Sequence, residues 1–268
     1  MVHETVITAP RNLPVAFGGG AVIGSLGGLI GLGGAEFRLP LLIGLFRFTA
    51  LEAVILNKAM SLVVVASALP LRAATVPFAT IAAHWPIVLN LLAGSLLGAW
   101  IGAGWATRLR SETLYKVIAG LLVVIAVVLV FGHDAAAGQP LLTGSAQLVV
   151  GVIVGFGIGI VASLLGVAGG ELLIPTLVLL FGADMKLAGS LSLAVSLPTM
   201  IVGFTRYSRD QSFSVINRNR GFLVVMAAGS FVGTFIGGQL LGIVPSWVLL
   251  PALAIILLVS AAKVWRHR

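Results

Sequence analysis

The stretches GLGGAEFRLP (residues 31–40) and GVAGGELLIP (residues 166–175) are one motif written twice. Each sets glycines, one glutamate and one proline within otherwise apolar sequence. In the hydrocarbon of a membrane, non-helical backbone must find hydrogen-bond partners in protein or water, and a carboxylate costs about 2.5–3.5 kcal/mol on insertion scales. A chain that carries this combination twice is therefore predicted to build a site there.

The composition around the motifs predicts an all-α polytopic membrane protein. The 268 residues are 59% hydrophobic and 9% charged, whereas soluble domains carry roughly 25% charged residues. Several apolar runs are, with their flanks, long enough to cross a hydrocarbon core that needs about 20 helical residues. These runs are residues 117–131, 148–165, 222–241 and 248–262.

The same composition excludes several classes of function. The net charge of +8 does not indicate nucleic-acid binding, because the basic residues sit at predicted helix ends, where orientation signals belong. The chain has no cysteine, no Walker A motif, four scattered histidines and no Ser/His/Asp arrangement. We therefore predict no enzyme activity, no catalytic residue, no cofactor and no metal. Residues 1–12 lack the layout of a signal peptide.

The chain is one unit repeated at an offset of 135 residues. This offset places Gly31, Gly34, Glu36 and Pro40 on Gly166, Gly169, Glu171 and Pro175, and it places GSLLGAWIGA at 94–103 on GSFVGTFIGG at 229–238 without a gap. The predicted organisation is a single membrane domain in four parts. These are a cytoplasmic N-terminal segment 1–13, a first repeat 14–131, a periplasmic linker 132–148 and a second repeat 149–266.

Each half is predicted to hold a broken or re-entrant helical hairpin followed by three transmembrane helices. A first apolar segment (14–30; 146–165) leads into the motif and then into a short segment (39–48; 174–182). Ten helical residues cover only about 15 Å, half of a ~30 Å core, so the short segment cannot cross. The predicted full helices are 53–71, 83–106 and 113–131, with counterparts at 188–205, 221–241 and 246–264.

The charge distribution predicts that the two repeats are inverted. With both termini in the cytoplasm, thirteen of the sixteen Lys and Arg residues lie near the cytoplasmic face, if Lys58 and Lys116 are counted at inner helix ends. Each half is predicted to cross the membrane three times, because its hairpin returns to the side on which it started. An odd number of crossings places the start of the second half on the opposite side of the membrane, so the second half is predicted to run in the opposite orientation.

This architecture is typical of secondary transporters, whose site lies near the midplane where the halves meet. Glycine lets backbone amides approach a ligand, and proline suits the first turn of a helix, here at Pro40 and Pro175. The residues before each proline are then expected at a helix N-terminus, which attracts anions. The candidate substrate-binding residues of the motifs are Gly31, Gly33, Gly34, Ala35, Gly166, Gly169 and Gly170.

Glu36 and Glu171 are candidates for both substrate contact and proton coupling. A carboxylate beside an anion is repulsive unless it carries a proton. Protonation on one side of the membrane and release on the other would couple anion movement to protons. The alternatives are that each Glu caps free amides at its helix start or pairs with a local base such as Arg38.

The remaining candidates lie beside the motifs. Arg38, whose counterpart is Leu173, could hold the anion, neutralise Glu36 or snorkel to the surface. Donors for an oxyanion are expected one to two turns into the next helix, although serines in membrane helices often bond their own helix and a lysine can snorkel. These candidates are Asn57, Lys58, Ser61, Ser192 and Ser196. The glycine ladders 94/98/102 and 229/233/237 are predicted to serve close helix packing.

The paired motifs, with the small-residue pieces at 59–62 and 194–197, resemble those of the sulfite exporter TauE/SafE family of bacterial membrane transporters. The resemblance covers essentially the whole chain, although Ala35 and Ala168 each replace a motif glycine. It implies export of sulfite, sulfonates or related small sulfur-containing or carboxylate anions across the bacterial inner membrane. The proton gradient or the anion's own gradient would drive it.

Two other functions stay open. Glu36 and Glu171, with serines and backbone carbonyls, could bind sodium or a divalent metal in a cation transporter or channel. A non-transporting membrane interaction protein is a third option. The expected partners are a small anion and the lipid bilayer, with a homodimer left open.

Overall fold

The computed structural model describes residues 12–30, 34–72, 76–131, 140–239 and 246–266, and these residues form helices joined by short connections without any β-strand. The first half contains α1 (Leu13–Ile30), α2 (Ala35–Gly44), α3 (Ala50–Arg72), α4 (Phe78–Ala83), α5 (Trp85–Ala106) and α6 (Ser111–Phe131). The second half contains α7 (Gly144–Leu165), α8 (Gly170–Phe181), α9 (Met185–Tyr207), a 3₁₀ turn (Gln211–Phe213), α10 (Ser214–Arg218), α11 (Arg220–Gln239) and α12 (Ser246–Trp265). The all-α prediction is confirmed.

Six helices in the described part of the chain are long and apolar enough to cross a membrane. They are Ala50–Ala68, Trp85–Ala106, Ser111–Val128, Gly144–Leu165, Lys186–Tyr207 and Arg220–Gly237. The prediction of a polytopic membrane protein is therefore confirmed.

The helix bounds repeat at the offset found in the sequence. Adding 135 to the first and last residue numbers of α3 gives those of α9, and adding 135 to the first residue number of α2 gives that of α8. Helix α4 corresponds in the same way to the 3₁₀ turn and α10. These short helices lie between the predicted full helices, and the sequence does not predict them because six residues are too few to show a helical period.

The glycine ladders pack each half against the other. Helix α1 lies along α11, and α5 lies along α7. A Cβ atom added to Gly98 would clash with the carbonyl oxygen of Phe156, and one added to Gly233 would clash with that of Ala21. Gly233 and Ala21 correspond to Gly98 and Phe156 at the 135-residue offset, so the same close contact occurs twice in the structure. The packing prediction for the ladders is confirmed.

The second motif joins the two arms of a returning hairpin. The Gln147 side chain, one turn into α7, donates a 2.6 Å hydrogen bond to the carbonyl of Leu180 at the end of α8. The backbone N–H of Leu141 donates to the carbonyl of Leu179 at 2.9 Å. The chain therefore returns to the side from which α7 starts. Helix α7 begins at Gly144, within the predicted linker 132–148, so the linker is shorter than predicted.

Candidate functional site

Both motifs start a helix directly after a glycine in the left-handed conformation. Gly34 has φ 67° before α2, and Gly169 has φ 83° before α8. Glycine is favoured at these positions because it adopts positive φ without the steric cost that a Cβ atom brings. Gly31 and Gly33, two of the predicted site residues, lie outside the described residues.

The prediction that Pro40 and Pro175 occupy the first helical turn is wrong. Each proline lies inside its helix, at its sixth residue, so the short helices span 35–44 and 170–181 instead of 39–48 and 174–182. The reason is that the left-handed glycine starts the helix several residues earlier. Proline has no N–H for the carbonyl four residues before it, so the helix leaves the backbone carbonyls of Glu36 and Glu171 without their usual donor.

Glu36 and Glu171 are each the second residue of their helix, and their carboxyl groups lie within electrostatic range of each other. Both are buried, with 0% and 6% of their surface exposed. Neither carboxyl oxygen of Glu36, nor Oε2 of Glu171, has a hydrogen-bond partner. A buried carboxyl group without a partner is costly, which makes this pair the strongest candidate for contact with a ligand or a transferred proton.

Arg38 is buried in the first half and does not snorkel. Its Nη1 donates to Asn57 Oδ1 and to Ser61 Oγ, both at 3.4 Å. The guanidinium also lies within electrostatic range of Glu36. The first motif is thereby fixed to α3 by a cation.

Lys58 is fully buried and does not snorkel to the surface. Its Nζ donates to the carbonyl of Ala162 at 3.2 Å and to Ser163 Oγ at 3.4 Å, and it makes no ion pair with a described residue. Ala162 lies in the last turn of α7. The negative dipole end of that helix attracts a cation, which holds Lys58 in the interior.

Asn57 joins the first motif to the second. Its Nδ2 donates to the carbonyl of Ala35, the first residue of α2, at 2.9 Å. It also donates to the carbonyl of Leu165, the last residue of α7, at 3.1 Å. Gly166 follows with φ 67°, and a Cβ there would clash with the carbonyl oxygen of Val54 in α3. The two motifs are therefore in contact through α3.

The two predicted serines of α9 differ in their contacts. Ser196 Oγ donates to the carbonyl of Ala168 within the second motif at 2.8 Å, whereas Ser192 Oγ donates to the carbonyl of Gly189 in its own helix at 2.9 Å.

The contacts described above connect most of the predicted residues into one buried cluster. Its members are Gly34, Ala35, Glu36, Arg38, Asn57, Lys58, Ser61, Gly166, Gly169, Gly170, Glu171 and Ser196.

Two residues of this cluster were missed in the sequence. Ser163 accepts from Lys58 and donates to the carbonyl of Ala99 at 3.0 Å, and the Tyr207 hydroxyl donates to the carbonyl of Ser163 at 2.9 Å. The comparison of the repeats could not reveal them, because their counterparts are Gly28 and Arg72. The described residues contain no group of three or more His, Asp or Glu side chains that could hold a metal ion.

The sequence is similar to those of known membrane transporters. The family profile described as "Sulfite exporter TauE/SafE" matches residues 16–264. The "Probable membrane transporter protein YunE" of Bacillus subtilis (strain 168) is 26% identical over 208 residues, which cover 69% of this chain and 74% of that protein. No solved structure gives a significant match. With both motifs meeting in one buried cluster and the profile spanning nearly the whole chain, the protein belongs to the sulfite exporter TauE/SafE family of membrane transporters.

Proposed function

We propose that this protein is a secondary transporter that exports small sulfur-containing or carboxylate anions across the bacterial inner membrane, and that the anion binds between the two motifs. One observation carries the proposal. One cluster that connects both halves contains the starts of α2 and α8, two buried cations, and a buried carboxyl pair of which three oxygens have no hydrogen-bond partner.

The donors of this cluster suit an oxyanion. The first N–H groups of α2 and α8 have no partners within their own helices, and the positive dipole end of each helix favours an anion. Lys58 uses two of its three ammonium hydrogens on Ala162 and Ser163. Its third hydrogen is therefore available to a ligand. Arg38 adds a second positive charge on the side of α2.

Glu36 and Glu171 provide a route to proton coupling. Two carboxylates repel each other and repel an anion, so an anion binds next to them most favourably when they are protonated. A protonated carboxyl group can then donate a hydrogen bond to the anion. Loss of the proton on the other side of the membrane weakens binding and releases the anion, so the proton leaves with the anion and the anion's own gradient drives export.

The proposed mechanism is alternating access between two inverted halves. The α7–α8 hairpin returns to its starting side, and α9, α11 and α12 then give three crossings, which supports opposite orientation of the halves and cytoplasmic termini. A periplasmic reporter fused after Gly138 is expected to be active. A reporter that behaves as cytoplasmic at this position would overturn the topology.

The function is tested by recording currents from proteoliposomes on a solid-supported membrane after jumps of sulfite, sulfoacetate, sodium or nickel. We expect currents with the two anions in the presence of an inert cation. Liposomes without protein, and liposomes with the Arg38→Leu variant, serve as controls. Currents evoked by the cations alone would overturn the proposal.

A cation transporter or channel is the second candidate, because the buried carboxyl pair, with three oxygens that have no hydrogen-bond partner, and the two carbonyls released by the prolines are oxygen ligands suited to sodium or a divalent ion. Arg38 and Lys58 oppose it, since two buried positive charges repel a cation. The same current recordings separate the two functions.

A further inference from the structure

A groove outside the buried cluster runs between α1, α2 and α12. It has a volume of about 620 Å³ and is lined largely by apolar side chains, including Ile23, Leu26, Leu41 and Ile256. Ile256 and Leu45, which also lines the groove, are exposed. In a membrane, the exposed apolar face of α12 contacts hydrocarbon, so an acyl chain can enter the groove from the side.

The groove carries positive charge at the C-terminal end of α12. Ser260, Lys263 and Arg266 line it there, and none of the described lining residues is acidic. Neither basic side chain forms an ion pair with a described residue. An apolar floor with two basic residues at one end matches a molecule with an apolar chain and an anionic head.

The second half contains the counterpart of this groove without the charge. It lies between α6, α7 and α8, has a volume of about 580 Å³ and is lined by Ile158, Pro175 and Val128 among others. At the 135-residue offset, Ile158 and Pro175 correspond to Ile23 and Pro40, whereas Val128 takes the place of Lys263. The fold therefore forms such a groove without the two basic residues.

We propose that the groove between α1, α2 and α12 binds one anionic phospholipid. Its acyl chain lies on the apolar floor, and its phosphate contacts Lys263 and Arg266. A bilayer supplies this chemistry at high local concentration, and basic pockets between transmembrane helices are suited to anionic headgroups. This binding does not depend on the proposed transport function. The bound lipid contacts α2, the helix that carries Glu36 and Arg38.

The test is native mass spectrometry of the delipidated full-length protein titrated with phosphatidylglycerol or phosphatidylethanolamine. The double variant Lys263→Gln/Arg266→Gln is compared with Arg108→Gln/Arg110→Gln, which removes two exposed basic residues outside the groove. At about 1 kcal/mol per basic residue, we expect the groove variant to bind the first phosphatidylglycerol about thirtyfold more weakly. The control should bind it like the wild type, and phosphatidylethanolamine binding should not change.

Two results would overturn the proposal. One is an equal affinity for phosphatidylglycerol in the wild type and in the groove variant, or an equal loss in the control. The other needs no variant, since a wild type that binds phosphatidylethanolamine as tightly as phosphatidylglycerol has no site for an anionic headgroup.

Discussion

The first and second motifs share a backbone but differ in charge. Each has a left-handed glycine, a helix that starts at the next residue, a buried glutamate at its second position and a proline at its sixth. The first half adds Arg38, Asn57 and Lys58, where the second half has Leu173, Ser192 and Leu193. The repeat therefore duplicates a helix start with its carboxyl group, whereas the buried cations among the described residues, Arg38 and Lys58, both belong to the first half.

Because of this difference in charge, the two halves contribute different contacts to the cluster. The second motif is fixed by groups of the first half, since Asn57 holds the end of α7 and Lys58 holds the carbonyl of Ala162. The first motif receives the guanidinium of Arg38 on its own helix. Substitutions that are equivalent by sequence should therefore have equal effects in the ladders and unequal effects in the cluster.

The largest effect is expected in the ladders, where the halves are alike. Gly98→Val and Gly233→Val each push a side chain into a backbone carbonyl of the facing helix, which we expect to cost about 3 kcal/mol or more and to abolish recovery of folded protein. Gly157→Val and Gly120→Val are the controls, because a Cβ at either position meets open space. Size-exclusion chromatography measures the yield, and recovery of Gly98→Val equal to that of Gly157→Val would contradict the ladder packing.

The next effect tests the charge difference. Arg38→Leu gives the first motif the residue of the second and removes a buried cation. We expect the initial rate of sulfoacetate transport in proteoliposomes to fall by about 100-fold, given about 2–5 kcal/mol for the loss of a buried hydrogen-bonded charge. Leu173→Met, at the equivalent position, should keep the wild-type rate. A wild-type rate for Arg38→Leu would show that the anion does not use this cation.

The carboxyl pair is tested through pH. In the proposed mechanism the carboxyl groups are protonated when the anion binds, so we expect wild-type binding of sulfoacetate, whose sulfonate stays ionised throughout, to strengthen as pH falls. Glu36→Gln and Glu171→Gln imitate the protonated form, so each should flatten the pH profile and lower proton-coupled transport by about tenfold. Wild-type rates and pH profiles in both variants would rule out coupling through these residues.

The smallest effect concerns the link between the motifs. Asn57→Ser installs the residue of the second half and loses the bonds to Ala35 and Leu165, which we expect to lower the free energy of unfolding by about 1–3 kcal/mol. Ser192→Ala loses one bond within its own helix and should cost less than about 1 kcal/mol. Unfolding in mixed micelles by titration with dodecyl sulfate compares the two. An equal decrease in the free energy of unfolding in the two variants would contradict a role for Asn57 in linking the motifs.

Much of the fold could be predicted from the sequence. Helices as long as α3 and α9 are predicted by apolar length alone, and the 135-residue offset predicts that their bounds match. The site was harder, because helix starts depend on backbone conformation. The left-handed φ of Gly34 and Gly169 moved Pro40 and Pro175 into the helix interior. The buried contacts of Lys58 could not be predicted, because the Ala162 carbonyl and the Ser163 hydroxyl that it binds come from α7, about 100 residues away along the chain.

The most direct test of anion binding between the motifs is a crystal structure of the protein soaked with selenite, whose selenium marks the anion by anomalous scattering. We expect a selenium peak between Glu36 and Glu171, within hydrogen-bonding distance of the first N–H groups of α2 and α8. A selenium peak elsewhere in the protein, with a metal ion bound between the two carboxyl groups, would contradict this binding site.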